Sequence, residues 1–169
     1  MSELSQPIPG PLPTAGAAPD RPKVLVVEDD ADIRKILEMF LTGKGFQVKS
    51  AENAHIALDM LSQEPIDLIL SDVRMPGMSG LELLRQVKER DPDIQLILMS
   101  GFSSVKDAVE AIQLGAADYV EKPIDFRRLA RVLQTSFEKR QLQHRTRILE
   151  QRRRQRRAVA DDERTVAQR

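Results

Sequence analysis

Five short strand-like runs, the second weaker than the rest, constrain this chain more than any other feature. They occupy residues 23–27, 46–51, 66–70, 94–99 and 117–121, and stretches with helical spacing separate them. Runs of that length, bounded by turn signals, are strand-like, and the nearly continuous apolar character of the first, third and fourth suits a sheet covered on both faces. The first helical stretch carries Ile33, Ile36, Leu37, Phe40 and Leu41 on one face and stops at Gly43 and Gly45. The second opens at Asn53, a good N-cap, carries Ile56, Ala57, Met60 and Leu61, and closes at Pro65. The third carries Leu81, Leu83, Leu84 and Val87. The fourth spans residues 104–114, with Val105, Ala108, Val109 and Ile112 expected inward, and the fifth begins near Asp125. Five strands alternating with five helices predict an α/β, doubly wound parallel sheet with right-handed crossovers.

The polar residues at the ends of these runs carry the chemistry. The first ends at Glu28, Asp29 and Asp30, the third at Asp72, the fourth at Ser100 and the fifth at Lys122. In an open parallel sheet, ligands collect beyond the carboxyl ends of the strands. A lone Asp at a strand end caps a turn, Ser100 alone is a helix cap, and Lys122 alone is an ion-pair partner for Asp72. Taken together they form a different set. Several carboxylates on one edge repel and raise one another's pKa, and a hard divalent cation removes the conflict. The pattern suits phosphoryl transfer to Asp72, whose ionised carboxylate needs no general base, with the phosphoryl charge held by Mg²⁺, Lys122 and the Ser100 hydroxyl.

With those residues in place, the chain resembles a response-regulator receiver domain. The stretches that carry the likeness are Glu28-Asp29-Asp30, Ser71-Asp72-Val73-Arg74-Met75-Pro76-Gly77-Met78-Ser79-Gly80, Met99-Ser100-Gly101 and Asp118-Tyr119-Val120-Glu121-Lys122-Pro123. The resemblance covers residues 23 to about 137. It implies a flavodoxin-like five-stranded sheet of order 2-1-3-4-5, with Asp72 as phosphoacceptor. It also implies Mg²⁺ held by Glu28, Asp29, Asp72 and the backbone carbonyl of Arg74. Lys122 and Ser100 would contact the phosphoryl group, and Tyr119 would move with Ser100. Receivers usually present Asp-Asp at the first strand end. Here the pair is Glu28-Asp29, and Asp30 offers a second register for the outer ligand. The phosphoryl donor implied is a sensor histidine kinase or a phosphotransfer protein. The role is that of a signalling module and not an enzyme, with output through a surface of the fourth helix, fifth strand and fifth helix.

Three domain-scale segments are expected: a Pro-rich disordered leader over 1–22, the receiver over 23–139, and a basic helical extension over 140–169. Pro7, Pro9, Pro11, Pro13, Pro19 and Pro22 punctuate the leader and remove backbone donors. The extension continues without Gly or Pro. Leu142 and Leu149 stand one heptad apart with Ile148 beside the second, while Arg145 and Arg152 hold the other seam positions, a weak coiled coil. The tail is read either as a helix pairing with a second chain or as a solvated, fraying extension. A homodimer would form through it or through the output surface.

The formal net charge of zero conceals an acidic first strand end and an arginine cluster at 152–157. That cluster lacks interleaved aromatics and a DNA-reading motif, so nucleic acid is not expected as a partner. His55 and His144 are isolated and expected to face solvent. The absence of cysteine excludes disulfides and thiolate metal sites. No apolar run approaches the roughly 20 residues of a membrane span, and the expectation is a soluble cytoplasmic protein. An aspartyl-phosphate phosphatase would want Asp-x-Asp after the first strand, and a flavodoxin-like binder a Gly/Ser/Thr loop; neither is present. The alternative reading is a receiver fragment of a larger transcription activator or output enzyme.

Overall fold

A computed structural model describes residues 21–101 and 104–168. The expected leader therefore lies almost wholly outside the described residues. Pro22, its last residue, already joins the fold, because its carbonyl accepts a hydrogen bond from the Gln47 N–H at 3.0 Å.

Five strands, β1 (Lys23–Val27), β2 (Gln47–Ala51), β3 (Leu68–Asp72), β4 (Gln95–Ser100) and β5 (Asp118–Glu121), form one sheet of order β2-β1-β3-β4-β5. Every pairing is parallel. The helices are α1 (Ala31–Gly43), α2 (Ala54–Gln63), α3 (Gly80–Arg90), α4 (Val105–Gln113) and α5 (Phe126–Ala167). This is the doubly wound sheet that the alternating runs predict, in the flavodoxin-like order that the resemblance implies.

Strand alternation sends side chains to two cores. Leu25, Val27, Ile69, Leu96 and Leu98 meet Ala57 and Leu58 of α2, Leu83, Leu84 and Val87 of α3, and Ala111 of α4. On the other face Val24, Val26, Leu68, Leu70, Ile97 and Met99 meet Leu37 and Leu41 of α1 and Leu129 and Leu133 of α5. Each fully buried Leu contributes about 1.5–3 kcal/mol relative to exposure. The core is aliphatic, as the low aromatic content requires.

The helix faces depart from the sequence reading in three places. On α4, Val105, Val109 and Ile112 are 82%, 49% and 57% exposed, and Ala111 is the buried residue. The apolar stripe thus faces away from the sheet. Ile36 of α1 and Ile56 of α2 are likewise exposed, with Leu37 and Leu58 turned inward beside them.

Side-chain caps start every helix: Asp30, Asn53, Ser79, Ser104 and Asp125 each accept from backbone N–H groups of the first turn. Gly45, at φ +92°, takes the left-handed conformation that ends α1.

α5 runs unbroken for 42 residues, about 63 Å at 1.5 Å per residue. Its middle is fastened to the edge of the sheet opposite the strand carboxyl ends. Arg140 lies 3.3 Å from Asp91 and 3.9 Å from Asp67, and Arg147 lies 3.1 Å from Asp93. The Gln95 amide donates to the Gln143 side-chain carbonyl at 3.1 Å. From Leu149 to Gln168 every residue is exposed. Among the described residues, no helix is long and apolar enough to cross a membrane.

Candidate functional site

The site is built where β1, β3, β4 and β5 end. Asp72 is the last residue of β3 and is 7% exposed. The chain leaves it sharply: the Arg74 N–H donates to Asp72 Oδ1 at 3.3 Å, and the Ser71 hydroxyl donates to the Asp72 carbonyl at 2.9 Å. The loop returns at Gly80, whose N–H donates to the Val73 carbonyl at 2.8 Å. A Cβ at Gly80 would collide with the Asp72 carbonyl. A glycine is therefore required for α3 to start directly against the strand end that presents Asp72.

Glu28, one residue past β1, is 1% exposed. Arg34, in the first turn of α1, donates to the Glu28 carbonyl at 2.7 Å, and the Asp30 N–H donates to its carboxylate at 3.2 Å. Asp29 is exposed, yet one oxygen from each of Glu28, Asp29 and Asp72 lies within 4.8 Å of the others. Asp30 turns away to cap α1 through the Asp32 and Ile33 N–H groups. Of the two registers open at the first strand end, the fold converges Glu28 and Asp29 on Asp72.

Lys122 follows β5 directly and precedes a cis Lys122–Pro123 peptide. Its N–H donates to the Ser100 carbonyl at 2.8 Å. Its ammonium lies 2.9 Å from Asp72 Oδ2 and 3.0 Å from Glu28 Oε2. Burial pushes the Glu28 carboxyl up, and the nearby Asp72 charge adds to this against the Lys122 hydrogen bond. Burial alone would push the Lys122 ammonium down; its hydrogen bonds to Asp72 and Glu28 outweigh burial and hold it above the ordinary lysine value.

Ser100 is buried at the end of β4. Strand alternation puts it on the face of Leu98, and Tyr119 sits opposite Leu98 in the β4–β5 register. The Tyr119 ring packs against the core on that face, and its hydroxyl is buried with no hydrogen-bond partner. His55 and His144 are both exposed, and neither joins the Glu28, Asp29 and Asp72 cluster.

The donor set is all hard oxygen. It suits Mg²⁺, which binds through a few carboxylates and retains waters, and offers nothing to a soft metal. Two groups escaped the sequence reading. Arg34 is one of them. The other is Asp107 of α4, 4.0 Å from the Arg74 guanidinium. Gly80 belongs to the motif already read from the sequence, and the fold adds the reason a glycine stands there. Arg34 and Asp107 gave no local signal, because their partners arrive only with the fold.

The model of the response regulator receiver domain family matches residues 24–134. The chain belongs to that family. Among its relatives, the transcriptional regulatory protein ZraR of Salmonella typhimurium is 43% identical over 114 residues, which are 68% of this chain and 26% of ZraR. The DNA-binding transcriptional regulator NtrC of Klebsiella pneumoniae is 46% identical over 100 residues, 59% of this chain and 21% of NtrC. Among solved structures, NtrX of Brucella abortus aligns with a TM-score of 0.71 at 30% identity, covering 75% of this chain and 29% of NtrX. A CheY-like receiver from Methanospirillum hungatei aligns with a TM-score of 0.70 at 27% identity, covering 73% and 99%. The family match thus runs from β1 into the first turns of α5. The chain spans about a quarter of the length of the curated relatives it matches.

Proposed function

We propose that this receiver is the phosphorylation-controlled input of a two-component regulator, with Asp72 accepting a phosphoryl group from a sensor histidine kinase or a phosphotransfer protein. The observation that carries this reading is the Lys122 ammonium between the Asp72 and Glu28 carboxylates, with Asp29 beside them. A carboxylate oxygen of Asp72 attacks the phosphorus of a phosphohistidine; the P–N bond breaks and its electron pair leaves with the imidazole. Glu28, Asp29, Asp72 and the Arg74 carbonyl would hold Mg²⁺, which supplies neutralisation of charge on the phosphoryl oxygens. Lys122 keeps its proton throughout and pairs with a phosphoryl oxygen, and the Ser100 hydroxyl donates to another.

Phosphorylation places roughly two negative charges on Asp72. Ser100 turns toward them, and Tyr119, whose hydroxyl has no partner to lose, moves into the space vacated. The shift biases the surface of α4, β5 and α5. Exposed Val105, Val109 and Ile112 support that surface as a contact for a homodimer or downstream partner. The chain acts as a signalling module, not an enzyme, in the cytoplasm. The basic extension over 140–169 serves as a linker that also pairs with a second copy.

The similarity to ZraR and NtrC favours placement of this receiver within a larger transcription activator. The expectation against nucleic acid then applies to the receiver alone, with DNA as a partner of further domains. Incubation with acetyl phosphate and Mg²⁺ followed by intact mass tests the central claim. One phosphoryl adduct, absent in Asp72→Asn, is expected; an adduct persisting in that variant would move the acceptor elsewhere.

A further inference from the structure

The distal half of α5 exposes a regular seam: Leu142, Arg145, Leu149, Arg152, Arg156, Val159, Glu163 and Val166, in alternating steps of three and four. Its four apolar members are 63%, 60%, 59% and 68% exposed, in chain order. At 100° per residue, the Leu142–Leu149 part of the seam points roughly 160° away from Arg140, Gln143 and Arg147. Those three residues fasten α5 to the receiver. A second helix can therefore lie along the seam without meeting the domain that carries it.

We infer that this seam pairs with the same seam of a second copy in antiparallel orientation. The proposal rests on the self-association of the tail proposed above and deepens it. Charge complementarity along the seam decides the orientation. In a parallel pair each seam residue meets its own copy, so Arg145, Arg152, Arg156 and Glu163 form four like-charged layers between the four apolar ones. In an antiparallel pair crossing at Arg154, Leu142 meets Val166 of the second copy and Leu149 meets Val159 of the second copy. Arg145 meets Glu163 of the second copy as an ion pair, and only Arg152 against Arg156 remains like-charged. The two-fold axis repeats each contact, giving a self-complementary interface. The arginines at 152–157 crowd the crossing in either orientation, so pairing strengthens with salt as their repulsion is screened.

The chain has no cysteine, so introduced cysteines are unique. Full-length Leu142→Cys and Val166→Cys proteins, one of them isotope-labelled, are mixed and mildly oxidised, and the disulfides are read by mass. The expected product is the mixed disulfide, severalfold above either homodisulfide and above an Asp161→Cys control on the opposite face. Predominant homodisulfides, or yields no higher than the control, overturn the proposal. Sedimentation gives an independent reading. Glu163→Arg should weaken association severalfold, and Arg145→Glu combined with Glu163→Arg should restore it. A double variant as weak as the single overturns the antiparallel orientation. Phosphoryl labelling of Asp72 in the same samples is independent of the outcome, so failure of the pairing and failure of the receiver reading are separately visible.

Discussion

Lys122 and Asp72, 50 positions apart in sequence, are joined by a 2.9 Å ion pair that Glu28 shares from the other side. The lysine neutralises an acidic pocket from within. Two carboxylates of the pocket thus share one counter-charge at hydrogen-bond distance.

Lys122→Met leaves Glu28 and Asp72 facing each other without their shared counter-charge. Loss of one partner from a buried polar contact costs about 1–3 kcal/mol. Urea denaturation in EDTA should show a loss in that range, and Mg²⁺ should restore more stability to the variant than to the parent. Equal responses to Mg²⁺ would remove Lys122 from the electrostatics of the site.

Burial raises the Glu28 carboxyl above its ordinary value of 4.5. A group whose folded pKa is raised contributes stability below its unfolded pKa and loses it as pH rises through the folded value. Relative to Glu28→Gln, the metal-free parent should therefore become progressively less stable as pH is raised from about 4.5. A stability difference that stays flat with pH would show that Glu28 ionises at its unfolded value.

Gly80→Ala drives a methyl group into the Asp72 carbonyl at the first turn of α3. Overpacking of this kind costs about 1–3 kcal/mol. The consequence should reach function as well, with slower labelling by acetyl phosphate once α3 is displaced from the strand end. Wild-type melting and labelling together would mean the helix relieves the contact by sliding.

Asp93→Ala removes the receptor for Arg147 and should increase amide exchange of α5 around residues 140–150, with the sheet unaffected. The stability change should be at most about 1 kcal/mol, since Arg147 is half exposed. Unchanged exchange would mean that Arg140 and Gln143 alone hold the helix.

The sheet was legible because β1, β3 and β4 are almost wholly apolar and end abruptly at a polar residue, while the weaker β2 and β5 fill the alternation at the edges. The site was legible for a related reason: Glu28, Asp72, Ser100 and Lys122 each sit next to their own strand, so strand order alone brings them together. The helix faces were less so. An apolar stripe with helical spacing says that a face is apolar and not what covers it, and α4 covers the sheet with Ala111 while Val105, Val109 and Ile112 face out. Contacts such as Arg74 with Asp107, or Arg140 with Asp67 and Asp91, join distant stretches of chain and leave no local trace.

The fastening of α5 by Arg140 and Arg147 makes the helix a lever with its fulcrum at the base of the sheet. Beyond Arg147, about 20 residues of helix extend about 30 Å to Ala167. A tilt of only about 10° at the fulcrum, well within the range of helix movements in switching proteins, would sweep the far end through about 5 Å, or one helical turn.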